Sequence, residues 1–310
     1  MEYIHIPVLA KETIDGLAIK PDGVYVDCTL GGGGHSSLLL EKLGKDGRLI
    51  AIDRDEYAIT RAKERLDEYG DKVTYVHDNF KNIASIVKKY APDGVDGIMM
   101  DLGVSSFQLD MPEKGFSYQK CGPLDMRMSG EGKSAYDVVN FYTQSELARI
   151  LFDYGDEKFA QKIASAIVRA RQEKPVETTT ELAEIIKNAI PAKARQTGHH
   201  PAKKSFQSIR IEVNDEIGLL SGAIADAVDA LKKDGRIAII SFHSLEDKTV
   251  KHALAECAKG CECPPNFPVC VCGKKPKIEI ITKSAVEANE KELDENPRSR
   301  SAKLRIARKL

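Results

Sequence analysis

No apolar run in this 310-residue sequence approaches the ~18 residues a membrane span requires; the strongest, Ile237 to Phe242, is a strand's length. The opening stretch, Met1 to Pro7, lacks the basic and apolar regions of a secretory signal, so the expected address is the cytoplasm. Internal repeats and low-complexity segments are also missing. With 42% apolar and 30% charged residues, the composition excludes a disordered, collagen-like or small disulfide-stapled chain. At ~150 residues per domain, the length suggests about two domains, or one large domain carrying an insertion.

Net charge is scarce too. The 46 Lys and Arg nearly cancel the 47 Asp and Glu, which by itself argues against a phosphate-rich partner. The average conceals a segregation. Lys187 to Arg210 holds six bases, two histidines and no acid, and Asn296 to Leu310 holds six bases and no acid. Without those segments the remaining 271 residues carry 34 bases and 47 acids, a net −13. Two basic islands on an acidic body can focus an anionic ligand, although a solvated helix face and a frayed tail would read the same way.

What is present is an α/β rhythm. Val24–Cys28, Leu49–Ile52, Val73–Val76 and Ile98–Met100 are short apolar or β-branched runs, separated by helical stretches such as Glu56 to Tyr69. That alternation predicts a parallel sheet with right-handed crossovers. From about Met111 to Lys204 no strand is evident. A Gly- and Met-rich loop (Gly115 to Gly132) leads there into helical patterns at Gln144–Asp153, Glu157–Gln172 and Thr179–Ala189, the last capped by Thr178 or Thr179 with Glu181 in its first turn. A long helical stretch, Phe206 to Lys233, then precedes strand candidates at Arg236–Phe242, Lys277–Thr282 and Ala302–Lys309. The expected architecture is a doubly wound, seven-stranded α/β sheet over residues 1–111 and 205–310, interrupted by a helical domain over 112–204.

The first strand runs into Gly31-Gly-Gly-Gly-His35, and the second ends at Asp53, 20 residues beyond Gly33. Glycines at a strand-to-helix turn admit a ligand close to the backbone, and a carboxylate at the second strand's end can accept both hydroxyls of a ribose. Dinucleotides and S-adenosylmethionine share this geometry. The dinucleotide pattern fails at its third glycine, where Ser36 stands, and Asp27 would repel a pyrophosphate while suiting an ammonium or sulfonium. The fourth strand ends at Asp101, a place that lines the ligand crevice in open α/β sheets. A carboxylate beside a methyl donor can accept the N–H of an exocyclic amine and remove its proton. Asp53 and Asp101 could instead be helix caps.

Several stretches together resemble the ribosomal RNA small-subunit methyltransferase H family. They are Gly31–His35, Asp101–Ser106, Gly115–Tyr118, Gly122–Met128, Tyr154–Ala160, His200–Asn214, Ser241–Asp247 and Asn296–Ser301, in order along nearly the whole chain. The resemblance implies a Rossmann-like class I methyltransferase fold and S-adenosylmethionine-dependent methylation of cytosine N4, at a P-site cytidine of 16S rRNA. It carries the cofactor contacts onto Gly33, Gly34, His35, Asp53, Phe80, Asp101 and Gln108, with Asp101 also catalytic. His35 and Gln108 could equally serve the backbone. Other amino-methyltransferases follow the reacting Asp or Asn with Pro-Pro-aromatic; Asp101-Leu-Gly-Val departs from that, so a stacking aromatic must come from elsewhere, with Phe116, Tyr118 and Phe242 as candidates.

Cytosine N4 is inaccessible in a duplex, so the target base must be single-stranded or flipped out. Candidate RNA contacts are Lys193, Arg195, His199, His200, Lys203 and Lys204 at the basic end of the insertion, Arg127 in the Met-rich loop, and His243 with Ser244 after the fifth strand. The expected partner is 16S rRNA in the small subunit; no membrane partner is expected, and a homodimer is left open. Cys261, Cys263, Cys270 and Cys272 form C-x-C-x6-C-x-C, with Pro264, Pro265 and Pro268 stiffening the loop between them. This is the ligand count of a tetrahedral zinc site, at a tighter spacing than usual; reduced surface thiols are the other reading. Two further function classes stay open at this level: a nicotinamide oxidoreductase, and a non-catalytic RNA-binding assembly factor on the same fold.

Overall fold

The computed structural model describes residues 7–196, 200–263, 269 and 271–310. His199, Cys270, Pro264, Pro265, Pro268 and the opening residues 1–6 lie outside them. The chain divides into two compact units, one of residues 1–103 with 217–310 and one of residues 104–216.

The first unit is built on seven strands: β1 (Val24–Asp27), β2 (Arg48–Asp53), β3 (Val73–His77), β4 (Val95–Asp101), β5 (Leu231–Ser241), β6 (Ile278–Ile280) and β7 (Lys303–Lys309). Their order is β3-β2-β1-β4-β5-β7-β6. All pairs from β3 to β5 are parallel, and β7 runs antiparallel between β5 and β6. The doubly wound, seven-stranded expectation therefore holds.

The central strands read as nearly continuous apolar runs because both faces of the sheet are covered. Side chains alternate between two cores, as the two-residue period of a strand requires. Val26, Ile50, Ile52, Ile98, Met100, Ile237 and Ile239 enter one. Tyr25, Leu49, Ala51, Met99, Ala238 and Ile240 enter the other.

Strand β7 holds four of the six bases of the C-terminal basic segment, and Arg300 on the turn before it is exposed. Its cations are paired: Arg305 forks onto Asp247 at 2.7 and 3.0 Å, Arg308 bonds Asp234 and Glu279, and Lys309 lies 3.7 Å from Asp229. Those acids sit on elements adjoining β7 in space but far away in sequence, where a count of local charge does not find them.

The helical unit starts earlier and ends later than 112–204. The single helix expected over Phe206–Lys233 is two helices, Lys203–Asn214 and Leu220–Ala230, broken where Asp215 adopts a left-handed φ of 48°. Ile209 and Phe206 of the first pack in the core of the helical unit, whereas Leu220, Ile224 and Val228 of the second pack on the sheet. The helices Gln144–Gly155, Ala160–Glu173 and Thr179–Ala189 lie where periodicity placed them, and Thr178 caps the last reciprocally with Glu181. A further helix, Ala135–Phe141, carries the same kind of capping box between Ser134 and Asp137; at seven residues it is too short for periodicity to reveal.

The Gly- and Met-rich loop is held by backbone approach. A Cβ on Gly122 would stand 1.9 Å from the Pro112 carbonyl oxygen, and one on Gly115 would stand 2.1 Å from that of Pro123. Neither oxygen is on a flexible group. Gly122→Ala should destabilise the helical unit by about 3 kcal/mol or more, as early loss of its helical signal on thermal unfolding; an unchanged melt would remove this packing role.

Candidate active site

The order of the sheet reverses between β1 and β4, which opens a crevice at their carboxyl ends. Backbone zippering holds its rim: the Cys28 amide donates to Met99 O, Leu30 to Ile52 O, and Asp78 to Asp53 O, all at 2.9–3.0 Å. Thr29 crosses the gap, its Oγ1 accepting the Asp101 amide at 2.6 Å.

The glycine turn is anchored by the carboxylate that ends β2. Asp53 Oδ2 accepts the Gly31 amide at 2.8 Å, and Oδ1 accepts the Asp55 amide at 2.9 Å. Each oxygen keeps a second lone pair, so the same carboxylate can still accept hydroxyls. Gly31 and Gly33 take φ of 50° and 74°, left-handed conformations that a side chain disfavours. Gly33 and Gly34 lead into the helix Gly34–Leu40. Phe80 opens the turn Phe80–Asn82 two residues past Asp78, half-buried against the sheet core.

Asp27 is buried at the end of β1, with Oδ2 accepting the Ser36 hydroxyl at 2.6 Å and Oδ1 the Thr29 amide at 3.0 Å. Ser36 is thus the residue that breaks the dinucleotide pattern and the one that holds Asp27. Burial pushes the Asp27 carboxyl up to about 6 despite both hydrogen bonds, which favour its charge.

His35 is also buried. Its Nε2–H donates to Val8 O at 2.9 Å, which leaves Nδ1 as the bare nitrogen, 3.6 Å from Asp101 Oδ2. Burial lowers the imidazole pKa and keeps the ring neutral. His35 therefore does bond backbone, as one reading of the sequence allowed, yet presents its other nitrogen to the Asp101 carboxyl.

Asp101 ends β4 with a buried Oδ1 that has no hydrogen-bond partner among the described residues. Burial, and then the nearby Glu246 carboxylate, push its carboxyl up to about 7. Glu246 was not singled out from the sequence. It is 1% exposed, and its Oε2 accepts the Phe242 amide at 2.9 Å. The signal for it was the stretch Ser241–Asp247, read only for its histidine and serine. His243 is the N-cap of the helix Ser244–Ala258: its Nδ1 accepts the Glu246 amide at 3.3 Å, and Nε2 lies 3.0 Å from Glu246 Oε1 at an angle too poor for a hydrogen bond.

The remaining candidates lie in the helical unit and are described within it. Gln108 is buried in a capping box, its Oε1 accepting the Ser105 amide at 3.1 Å and its own amide bonding Ser105 Oγ. Arg127 forks onto Asp125 at 3.0 and 2.8 Å and reaches Gly132 O, which stabilises the loop around Met126, a residue with φ of 58°. Lys204 donates to Asp156 O at 2.8 Å. Lys203 and Lys193 are exposed with no ion pair among the described residues, whereas Arg195 bonds Ile190 O. Phe116 is buried in the helical core, and Tyr118 stacks on His200 at 4.6 Å between centroids.

The crevice passes a test for a cationic nucleoside cofactor on its own atoms. It offers an acceptor carboxylate on a glycine turn, two buried carboxyls raised toward neutral pH, and a buried oxygen of Asp101 awaiting a donor. No helix among the described residues is long and apolar enough to cross a membrane.

Comparison with known proteins agrees with this geometry. The model of the MraW methylase family matches residues 2–310. A protein from Clostridium botulinum (strain Kyoto / Type A2) named ribosomal RNA small subunit methyltransferase H is 60% identical over all of both chains. One of the same name from Brevibacillus brevis is 51% identical, over all of this chain and 99% of its own. With a match along essentially its full length and a crevice shaped for a methyl donor, the chain belongs to the MraW methylase family and is a methyltransferase.

Proposed function

We propose that this protein methylates the N4 amino group of a P-site cytidine in 16S rRNA of the small ribosomal subunit, with S-adenosylmethionine as donor, in the cytoplasm. The observation that carries the reading is Asp101: a buried carboxyl at the β4 terminus, one oxygen unpartnered, poised to titrate near neutral pH. The names of the two relatives support the RNA substrate.

When bound, the donor supplies an electrophilic methyl group on a sulfonium. Asp53 would hold its ribose, Phe80 would pack on its adenine, and Gly33 and Gly34 would admit the amino-acid portion beside the backbone. The chemical burden on the protein is the nucleophile. An exocyclic amine of cytosine is weak because its lone pair is delocalised into the ring. Asp101 Oδ1 accepts the amine N–H, localises the lone pair and takes the proton. Neutral His35, whose one N–H is spent on Val8 O, sits beside that carboxyl without adding a positive charge that would lower its basicity. In the helical unit, the exposed Lys203 and Lys193 would be free to meet RNA phosphate, while Arg127 and Lys204 act through the loops they brace.

The test is transfer of tritiated methyl groups to free 16S rRNA, isolated 30S subunits and 70S ribosomes, with the product mapped by nuclease digestion. Label in N4-methylcytidine at the P site is expected on at least one of the three. Absence of label from all of them would overturn the 16S rRNA substrate, and label at another base would remove the N4 assignment.

A further inference from the structure

The cysteine-rich segment between the helix Ser244–Ala258 and β6 takes no part in the chemistry above, and it is organised in a way its burial does not explain. Cys261 and Cys272 are exposed and Cys263 half-exposed, and nearby Val269 and Val271 are about 70% exposed. No apolar core draws these residues together. Even so, the Sγ atoms of Cys261, Cys263 and Cys272 all lie within 4.8 Å of one another, and those of Cys261 and Cys272 are 3.7 Å apart. None of the three is in a disulfide.

We propose that Cys261, Cys263 and Cys272 bind a zinc ion that clips this loop closed. At a Zn–S bond of about 2.3 Å, two corners of a tetrahedron are separated by about 3.8 Å, which is the spacing of the Cys261–Cys272 pair. The backbone is arranged for thiolates. The Glu262 amide donates to Cys272 Sγ at 3.4 Å and the Val271 amide to Cys263 Sγ at 3.3 Å, so each leg of the loop donates to a sulfur of the other. Donors of this kind stabilise charge on a metal-bound sulfur and fix its orientation. Three thiolates leave one tetrahedral corner for a water molecule.

Binding replaces three S–H bonds by three Zn–S bonds and releases the thiol protons to solvent, with no change of oxidation state. The clip lies directly before the chain enters the sheet edge, where the Lys277 amide bonds Cys257 O at 2.9 Å. A cross-link there would supply the order that burial does not.

The test is metal analysis of the full chain purified under reducing conditions from zinc-supplemented cells, beside the Cys261→Ser/Cys263→Ser/Cys272→Ser variant and a Cys121→Ser control. About one zinc per chain is expected in the wild type and the control, and less than a tenth of that in the triple variant. A second measurement needs no variant. Chelated wild-type protein is titrated with zinc, and alkylation of individual cysteines is followed by mass spectrometry. Protection of Cys261, Cys263 and Cys272 should be complete at one equivalent, with S-adenosylmethionine binding unchanged. The proposal is overturned by a wild-type zinc content equal to that of the triple variant, by alkylation of the three thiols that zinc leaves unaltered, or by iron and inorganic sulfide in place of zinc.

Discussion

Asp101→Asn should lower methyl transfer about 10²–10⁴-fold and, at the same time, make the protein more stable above pH 7. The two effects share a cause. The buried carboxyl titrates at about 7, whereas in the unfolded chain it ionises at the ordinary carboxyl value near 4. Between those values the folded state binds the extra proton, so stability declines as pH rises through the interval and the full cost is present above it. That cost is at most about 4 kcal/mol, and less to the extent that the quarter of the side chain open to solvent screens the charge. An amide cannot ionise, so the variant escapes it. Melting temperatures of variant and wild type should therefore coincide near pH 4 and separate by several degrees at pH 8. Turnover of the wild type should rise with pH and level off above about 7, because only the ionised carboxylate can take the amine proton. A variant that keeps its turnover would remove Asp101 from the chemistry; one that loses turnover with no gain in stability would show that the carboxyl is not strained in the folded protein.

The second large effect concerns the donor. Asp27 and Asp101 are held near 6 and 7 by burial, and Asp53 is raised in the same direction. A ligand carrying a sulfonium and an ammonium favours the ionised form of each, so binding expels protons. Affinity for S-adenosylmethionine should then rise with pH by up to about tenfold per unit for each group that ionises on binding, reach a plateau above about 7, and fall where the ligand's own α-amino group deprotonates near 8. S-adenosylhomocysteine lacks the sulfonium and should show a shallower rise. Calorimetry in buffers of different ionisation enthalpy reads both the affinities and the protons released. Identical, flat profiles for the two ligands would falsify the electrostatic account of this crevice.

Much of this site could be read along the chain because it is built from local events. The glycine turn follows a strand, Asp53 and Asp101 end strands, and Thr178 with Glu181 caps a helix through neighbours three residues apart. Each signal lies within one turn or one strand of the residue it concerns. The limits appeared where long-range partners decide. Asp27 was legible as a charge, but that Ser36 and Thr29 would hold it depends on the turn folding back. Gln108 carried two readings, and its capping box realises the backbone one. The stretch Ser241–Asp247 contains Glu246, but its influence on Asp101 depends on a helix and a strand that are far apart in sequence.

Period, punctuation and motif thus sufficed for the class of sheet, the interruption by helices and the glycine turn and strand-end carboxylates of the candidate crevice, since hydrophobic alternation and turn chemistry are properties of neighbouring residues. Which charges are available was a different matter. The two basic islands read alike as strings, yet β7 is laced to Asp234, Asp247 and Glu279 while Lys203 and Lys193 are exposed and unpaired among the described residues. Pairing and burial are set by which elements pack together, and so are the raised acidities of Asp27 and Asp101. The near-zero net charge therefore decided nothing about an RNA partner until the fold had separated cations already paired with acids from those left to the solvent.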